Sequence, residues 1–171
     1  GFGSSWVIPE TGIILNNRLT GFSLDPASPN IIAPGKRPAH TLNAFTAVRA
    51  DGSLYLVGGT PGANIQVQTN LQLLVNVIDL KMNVQEATEA PRWQHLNAPG
   101  QSSDEEKGLG VLEIENRVPT AVLDELRAKG HEVRPLAAWG HGSSVQMIEV
   151  LANGTFAFGS DPRCEGHASG V

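Results

Sequence analysis

A single cysteine, Cys164, stands in 171 residues. That excludes an internal disulfide framework and a multi-cysteine metal site. Aromatic residues make up 5% and charged residues 17%, with a formal net charge of -5. No basic block or Lys/Arg stripe is present to neutralise phosphates, so nucleic acid is not an expected partner. A small anionic substrate stays compatible with this charge. No apolar run reaches membrane-spanning length: the run 71–80 is interrupted by Gln72, Asn76 and Asp79, and no membrane partner is expected. His40, His95, His131, His141 and His167 are scattered and form no zinc motif with local partners. Asp104, Glu105 and Glu106 stand in a polar stretch, 97–107, that suits a solvated loop, since three consecutive carboxylates do not face one ion without a special turn. Dinucleotide, P-loop and serine-nucleophile signatures are missing. There is no signal-peptide pattern and no initiating methionine, and the opening Gly1-Phe2-Gly3-Ser4-Ser5-Trp6 reads as mid-structure, as in a processed subunit or a fragment.

What is present is organised around 51–82. Asp51-Gly52 is a turn signal between two short apolar runs, 45–48 and 54–57, which predicts a β-hairpin. The second run stops at Gly58-Gly59-Thr60-Pro61-Gly62-Ala63, and an apolar-periodic segment follows. Strand, tight loop and helix is the natural reading. Val67, Leu71, Leu74 and Ile78 repeat at helical spacing, widened by Leu73, Val77 and Leu80, which predicts a helix buried against a sheet partly supplied by a second chain. Small residues at the start of that helix let backbone N–H groups point outward, where they can hold a developing negative charge. A tight turn with no ligand is the plainer alternative.

Elsewhere, Ile13-Ile14-Leu15 predicts a buried strand running into Asn16-Asn17, a pair suited to orienting a substrate amide or to capping a turn. Residues 18–35 read as an irregular loop. Lys36, Arg37, His40 and Thr41 make either a polar pocket rim or a solvated charge pair beside a loop histidine. Asn83 and Glu86 fit a capping box opening a short helix that ends at Pro91. Strands are predicted at 92–96, 110–115 and 132–136, with a helix from Pro119 to Lys129. Two more strands, 144–151 and 155–159, flank Asn153-Gly154, a hairpin turn. Asp161 beside Arg163 either ties down the tail by an ion pair or does nothing. Helices alternate with paired strands, so the class is α+β, and 171 residues suit one domain.

Ordered motifs then carry a resemblance. Phe2-Gly3-Ser4, Thr11-Gly12-Ile13-Ile14-Leu15-Asn16-Asn17, Phe22-Ser23, Pro34-Gly35-Lys36-Arg37-Pro38, Gly59-Thr60-Pro61-Gly62, Met82-Asn83-Val84-Gln85-Glu86-Ala87, Ala90-Pro91-Arg92, the 126–130 helix end and Ser160-Asp161-Pro162-Arg163 with Gly170 run nearly end to end. In these blocks the chain resembles most of the small subunit of the gamma-glutamyltranspeptidase family of N-terminal-nucleophile hydrolases, over 1–171. The resemblance implies a four-layer αββα sandwich, incomplete here without the preceding strands and the large subunit. It implies a zymogen that cuts itself before a threonine into a heterodimer, with a dimer of heterodimers as an open assembly. That threonine attacks an amide carbonyl as an acyltransferase or hydrolase, and its own amine acts as base. No cofactor and no metal are implied. The threonine has no counterpart in these residues, so this fragment alone is expected to be inactive.

The resemblance places the oxyanion donors at Gly62 and Ala63, where the family usually has two glycines, and expects Ala63 at an ordinary backbone angle. It places substrate contacts at Asn17, Arg18, Gly21, His40 and Thr41. Gly21 stands where gamma-glutamyl enzymes carry the acid that holds the substrate ammonium, and Arg18 where they carry a polar residue that also faces it; His40 and Thr41 match their two carboxylate-binding serines. A cation repels an ammonium and attracts a carboxylate. This favours relatives of the glutaryl-acylase or oxamate-amidohydrolase kind, acting on a small amide. A catalytically dead structural paralogue and a small-anion binding module are the non-enzymatic alternatives, and the compartment stays open between cytoplasm and periplasm.

Overall fold

The computed structural model describes residues 3–96, 110–167 and 169. Phe2, the acidic stretch 97–107 and Gly170 lie outside the described residues. The chain falls into two units, Gly1–Thr41 and Leu42–Val171.

The first unit is built from turns. An antiparallel bridge joins Val7 to Ile14, a 3₁₀ turn covers Arg18–Gly21, and a parallel bridge joins Ser23 to Ile31. The buried strand expected at Ile13-Ile14-Leu15 is this lone bridge, and Ile13 is 57% exposed. One bridge satisfies a few backbone groups but covers neither face of the run. Trp6, Val7, Leu15, Leu19 and Leu24 are likewise exposed.

The second unit carries, in chain order, β1 (Phe45–Val48), β2 (Leu54–Gly59), α1 (Gln66–Leu74), α2 (Val84–Glu89), β3 (Trp93–Leu96), β4 (Val111–Glu115), α3 (Thr120–Ala128), β5 (Glu132–Leu136), β6 (Gln146–Val150) and β7 (Phe156–Ser160). One sheet has the order β1-β2-β6-β7, all antiparallel. The other is β3-β4-β5, with β4 and β5 parallel across α3. Both predicted hairpins form. Gly52 takes φ 84 beside the Asp51 carboxylate, which accepts the Ser53 N–H at 2.9 Å. Gly154 takes φ 82 beside Asn153, which accepts the Thr155 N–H at 3.1 Å. The capping box is complete: Asn83 accepts the Glu86 N–H at 2.9 Å and Glu86 accepts the Asn83 N–H at 3.1 Å.

Helices α1 and α2 cover one face of the four-stranded sheet. Leu56, Val145 and Met147 meet Leu73 and Val77, the latter in a π-helical extension of α1 at Val75–Asp79, and Val84 and Ala87 of α2. Each fully buried aliphatic side chain here contributes about 1.5–3 kcal/mol. The buried face of α1 is Gln66, Thr69, Asn70 and Leu73; of the predicted stripe Leu73 and Val77 are buried, whereas Val67, Leu71, Ile78 and Leu80 are exposed. Two of the polar residues on this inner face find backbone partners. Gln66 accepts the Asn43 N–H at 3.1 Å and Asn70 donates to the Asn43 carbonyl at 2.5 Å.

On the opposite face, Thr46, Val57, Ile148 and Phe158 stand in one cross-strand row. Val57 and Ile148 are each 38% exposed. Of the αββα arrangement, the second unit therefore supplies one sheet with its helix layer, and the apolar face on which a second sheet packs in such a sandwich is not buried.

Candidate active site

Strand β2 delivers Thr60, Pro61 and Gly62, and a 3₁₀ turn at Ala63–Ile65 leads into α1. The Gly62 carbonyl closes that turn by accepting the Ile65 N–H at 3.0 Å. Gly62 sits at φ 135, a region glycine reaches readily, and a Cβ there would lie 2.7 Å from Ile65 Cγ1. Ala63 sits at φ 48, not at the ordinary angle expected of it. The tight reversal demands a left-handed residue, which costs a non-glycine residue roughly 1–2 kcal/mol. Among the described residues, neither the Gly62 nor the Ala63 N–H has an acceptor. Thr60 is buried. Its hydroxyl donates to the Pro61 carbonyl at 2.7 Å and accepts the Ser144 N–H at 3.0 Å.

Behind residues 143–145 lies a buried ionic cluster. Arg163 grips Glu115 with two bonds, Nε at 2.7 Å and Nη2 at 2.6 Å, and reaches Asp161 at 2.9 Å. Arg92 pairs with Asp161 and donates to Ser143 Oγ at 2.9 Å. Arg117 completes the Glu115 shell at 2.8 Å and stacks on the Trp139 ring at 3.5 Å. Burial works to raise the Glu115 pKa, but the hydrogen bonds from Arg163 and Arg117 outweigh it and hold the carboxyl at about 2. His141 is also buried, and its pKa falls to about 4 through burial and then the nearby Arg92 charge. Its Nδ1 accepts the Ser143 N–H at 3.2 Å, which leaves the proton on Nε2, and Nε2 has no partner among the described residues.

The first unit holds a cavity of about 710 Å³ lined in part by Asn16, Arg18, Leu19, Arg37, Pro38 and His40. Arg18 Nη1 donates to Thr41 Oγ1 at 3.3 Å, and Asn16 accepts the Arg18 N–H at 2.9 Å. Arg18, His40 and Thr41 thus gather at one place, joined by Arg37. Asn17 and Gly21 lie in its framework. The Asn17 carbonyl accepts the Thr20 hydroxyl at 2.8 Å. The Gly21 carbonyl accepts from Asn30, and a Cβ on Gly21 would stand 2.9 Å from the Ala39 oxygen. Asn30, unremarked in the sequence, ties this frame together by also accepting the Ala39 N–H at 3.2 Å.

Sequence spacing missed the ionic cluster, because its members come from positions 92, 115, 117, 141, 143, 161 and 163. One signal was available. Glu115 follows the alternating Leu112 and Ile114 at the end of a strand, where its side chain is fully buried. The Asp161–Arg163 pair, left open in the sequence, forms inside this cluster.

The family model described as gamma-glutamyltranspeptidase matches residues 1–171. The oxamate amidohydrolase proenzyme of Klebsiella pneumoniae is 39% identical over 173 residues, covering 99% of this chain and 31% of that protein. The glutathione hydrolase proenzyme of Escherichia coli is 37% identical over 172 residues, covering 95% of this chain and 27% of that protein. Among solved structures, a cephalosporin acylase from Bacillus halodurans aligns with a TM-score of 0.77 at 32% identity, covering 98% of this chain and 30% of that one. The chain thus spans under a third of the length of these relatives. With its whole length matched and its fold shared, the chain belongs to the gamma-glutamyltranspeptidase family.

Proposed function

We propose that this chain is most of the small subunit of an amide-cleaving enzyme, made as a zymogen, whose nucleophilic threonine lies outside these 171 residues. The observation that carries the reading is the pair of N–H groups at Gly62 and Ala63, which have no acceptor among the described residues and are set before α1 in a turn where both residues take positive φ. The threonine hydroxyl attacks the amide carbonyl while its own amine takes the proton. The Gly62 and Ala63 N–H groups hold the oxyanion, the amine leaves, and water or an acceptor amine releases the acyl group. The apolar row of exposed Val57 and Ile148 with half-buried Phe158, together with the exposed side chains of the first unit, supports assembly with a large subunit of the same precursor.

Arg18, Arg37 and His40 around one cavity, with Thr41 bonded to Arg18, support an acyl group bearing a carboxylate or compact polar end and no free α-ammonium. An ammonium beside two guanidinium groups, with glycine at 21, lacks the acid that would neutralise it. The name oxamate amidohydrolase, at 39% identity, favours the same choice, while the name glutathione hydrolase, at 37%, keeps the gamma-glutamyl amide as the comparison the test needs.

The test is kcat/KM of the intact enzyme on glutaryl, oxamate-type and gamma-glutamyl amides at equal pH and salt. Turnover is expected, with the des-amino glutaryl compound preferred over its gamma-glutamyl counterpart. The reverse preference would overturn the specificity, and no turnover of any amide would leave the dead structural paralogue. Gly62→Val should lower kcat by roughly 10²-fold or more through loss of a donor.

A further inference from the structure

We infer that Thr60 is a positioning residue for the oxyanion hole: its hydroxyl fixes the plane of the Pro61–Gly62 peptide and so aims the Gly62 N–H. This rests on the role proposed above for Gly62. The hydroxyl's two bonds have only one possible direction each. The Ser144 N–H can only donate to it, at 3.0 Å, and the Pro61 carbonyl can only accept from it, at 2.7 Å. In a trans peptide the C=O and the following N–H point in opposite directions, so holding the Pro61 oxygen sets the direction of the Gly62 N–H. Without that hold, nothing on the glycine side resists rotation of the peptide, because glycine accepts φ of either sign. A rotated peptide would present a carbonyl oxygen where the acyl oxygen must bind, replacing attraction by repulsion.

The far end of the lock is itself pinned. Ser144 lies between two residues whose backbone N–H groups are fixed by the ionic cluster: Ser143 donates to His141 Nδ1 at 3.2 Å, and Val145 donates to Asp161 Oδ2 at 2.8 Å. The Ser143 hydroxyl is held by Arg92 at 2.9 Å. The Ser144 N–H is therefore a donor with little freedom, and Thr60, buried beside it, transmits that rigidity to the loop.

The experiment compares Thr60→Val, Thr60→Ser and Thr60→Cys in the full-length, self-processed enzyme on an amide that the unaltered enzyme turns over. Thr60→Val keeps the shape and removes the hydroxyl. It should lower kcat by about 10-fold or more, approaching the roughly 10²-fold expected for losing an oxyanion donor outright, while KM shifts by no more than about 3-fold. Thr60→Ser should restore kcat to within about 3-fold, with Thr60→Cys between the two. A residue that only supports the fold would move the thermal midpoint and the yield of processed enzyme without this ordered split in kcat. If Thr60→Val does not assemble, the Ser and Cys pair decides: kcat lower in Cys than in Ser at equal KM supports the lock, and equal values overturn it. A loss of kcat in Gly62→Val with none in Thr60→Val would overturn the lock alone. No loss in Gly62→Val would overturn the oxyanion reading on which it stands.

Discussion

Glu115→Gln should be among the most damaging single changes in this chain that leave side-chain volume nearly unchanged. The carboxylate is fully buried and accepts five hydrogen bonds. Two come from Arg163, one from Arg117, and one each from the Arg92 and His141 N–H groups. Glutamine removes one of the two buried negative charges that face Arg92 and Arg163, and turns an NH₂ toward groups that are all donors. Leaving a buried charge without its partner costs about 3–5 kcal/mol. For a chain of this size that corresponds to a fall in Tm of roughly 6–20 °C. Glu113→Gln, on the same strand, is the control. Its ionic partner Arg134, at 3.0 Å, is 55% exposed, so that screened pair contributes less than about 1 kcal/mol, and glutamine keeps an acceptor oxygen for the Gln94 amide that now donates to Glu113 at 2.7 Å. Urea and thermal unfolding of the assembled protein at pH 7.5 would compare the two variants. Equal effects, or a loss of under about 1 kcal/mol for Glu115→Gln, would refute the view that the cluster depends on compensated buried charge.

Two further outcomes follow from the same structure. The folded pKa of His141, about 4, lies below its ordinary 6.5, so the unfolded chain binds the extra proton first and stability falls as pH drops from 6.5 to 4, by up to about 3 kcal/mol; Tm measured from pH 7.5 to 4.5 should show this slope, and His141→Gln should flatten it, since Glu115 contributes only below 4.5. Gly159→Ala should destabilise by about 1–3 kcal/mol, because its Cβ would meet the Val84 carbonyl oxygen and lie 2.8 Å from that carbonyl carbon; an unchanged urea midpoint would contradict the close approach of α2 to β7.

Local signals were legible in the sequence wherever the partner of a residue lies a few positions away. Asp51-Gly52, Asn153-Gly154 and the Asn83–Glu86 box all formed as their spacing required. Apolar periodicity was less informative. It marks a surface that favours cover but does not say what supplies the cover, so Ile13, Val67 and Leu71 read as buried and stand exposed. It is also blind to polar side chains that go inside: Gln66 and Asn70 are buried and bond the Asn43 backbone, while Thr69 Oγ1 and Asn70 Oδ1 have no partner among the described residues. Ala63 was misread for a related reason. Its side chain permits an ordinary angle, but the reversal between β2 and α1 sets φ at 48 regardless of residue type.

The ionic cluster raises the question of why apolar residues would not serve as well, since buried ion pairs are often replaced by hydrophobic groups without loss. Its arginines do a second task that apolar residues cannot. Helix α2 has six residues, and its last carbonyls have no partners within the helix. Arg92 and Arg163 donate to the Thr88 carbonyl at 2.6 and 3.0 Å, Arg117 to Glu89 at 2.7 Å, and Arg163 to Ala90 at 2.9 Å. Three cations also sit at the negative end of the helix dipole. An apolar replacement would fill the space yet leave these carbonyls dry and unpaired, each costing about 1–3 kcal/mol. Glu115 and Asp161 supply the negative charge that compensates the guanidinium groups of Arg92, Arg117 and Arg163 at this place. The same carboxylates hold the His141 and Val145 N–H groups, so one cluster finishes α2, fixes the strip 141–145, and through Ser144 and Thr60 sets the loop that carries Gly62.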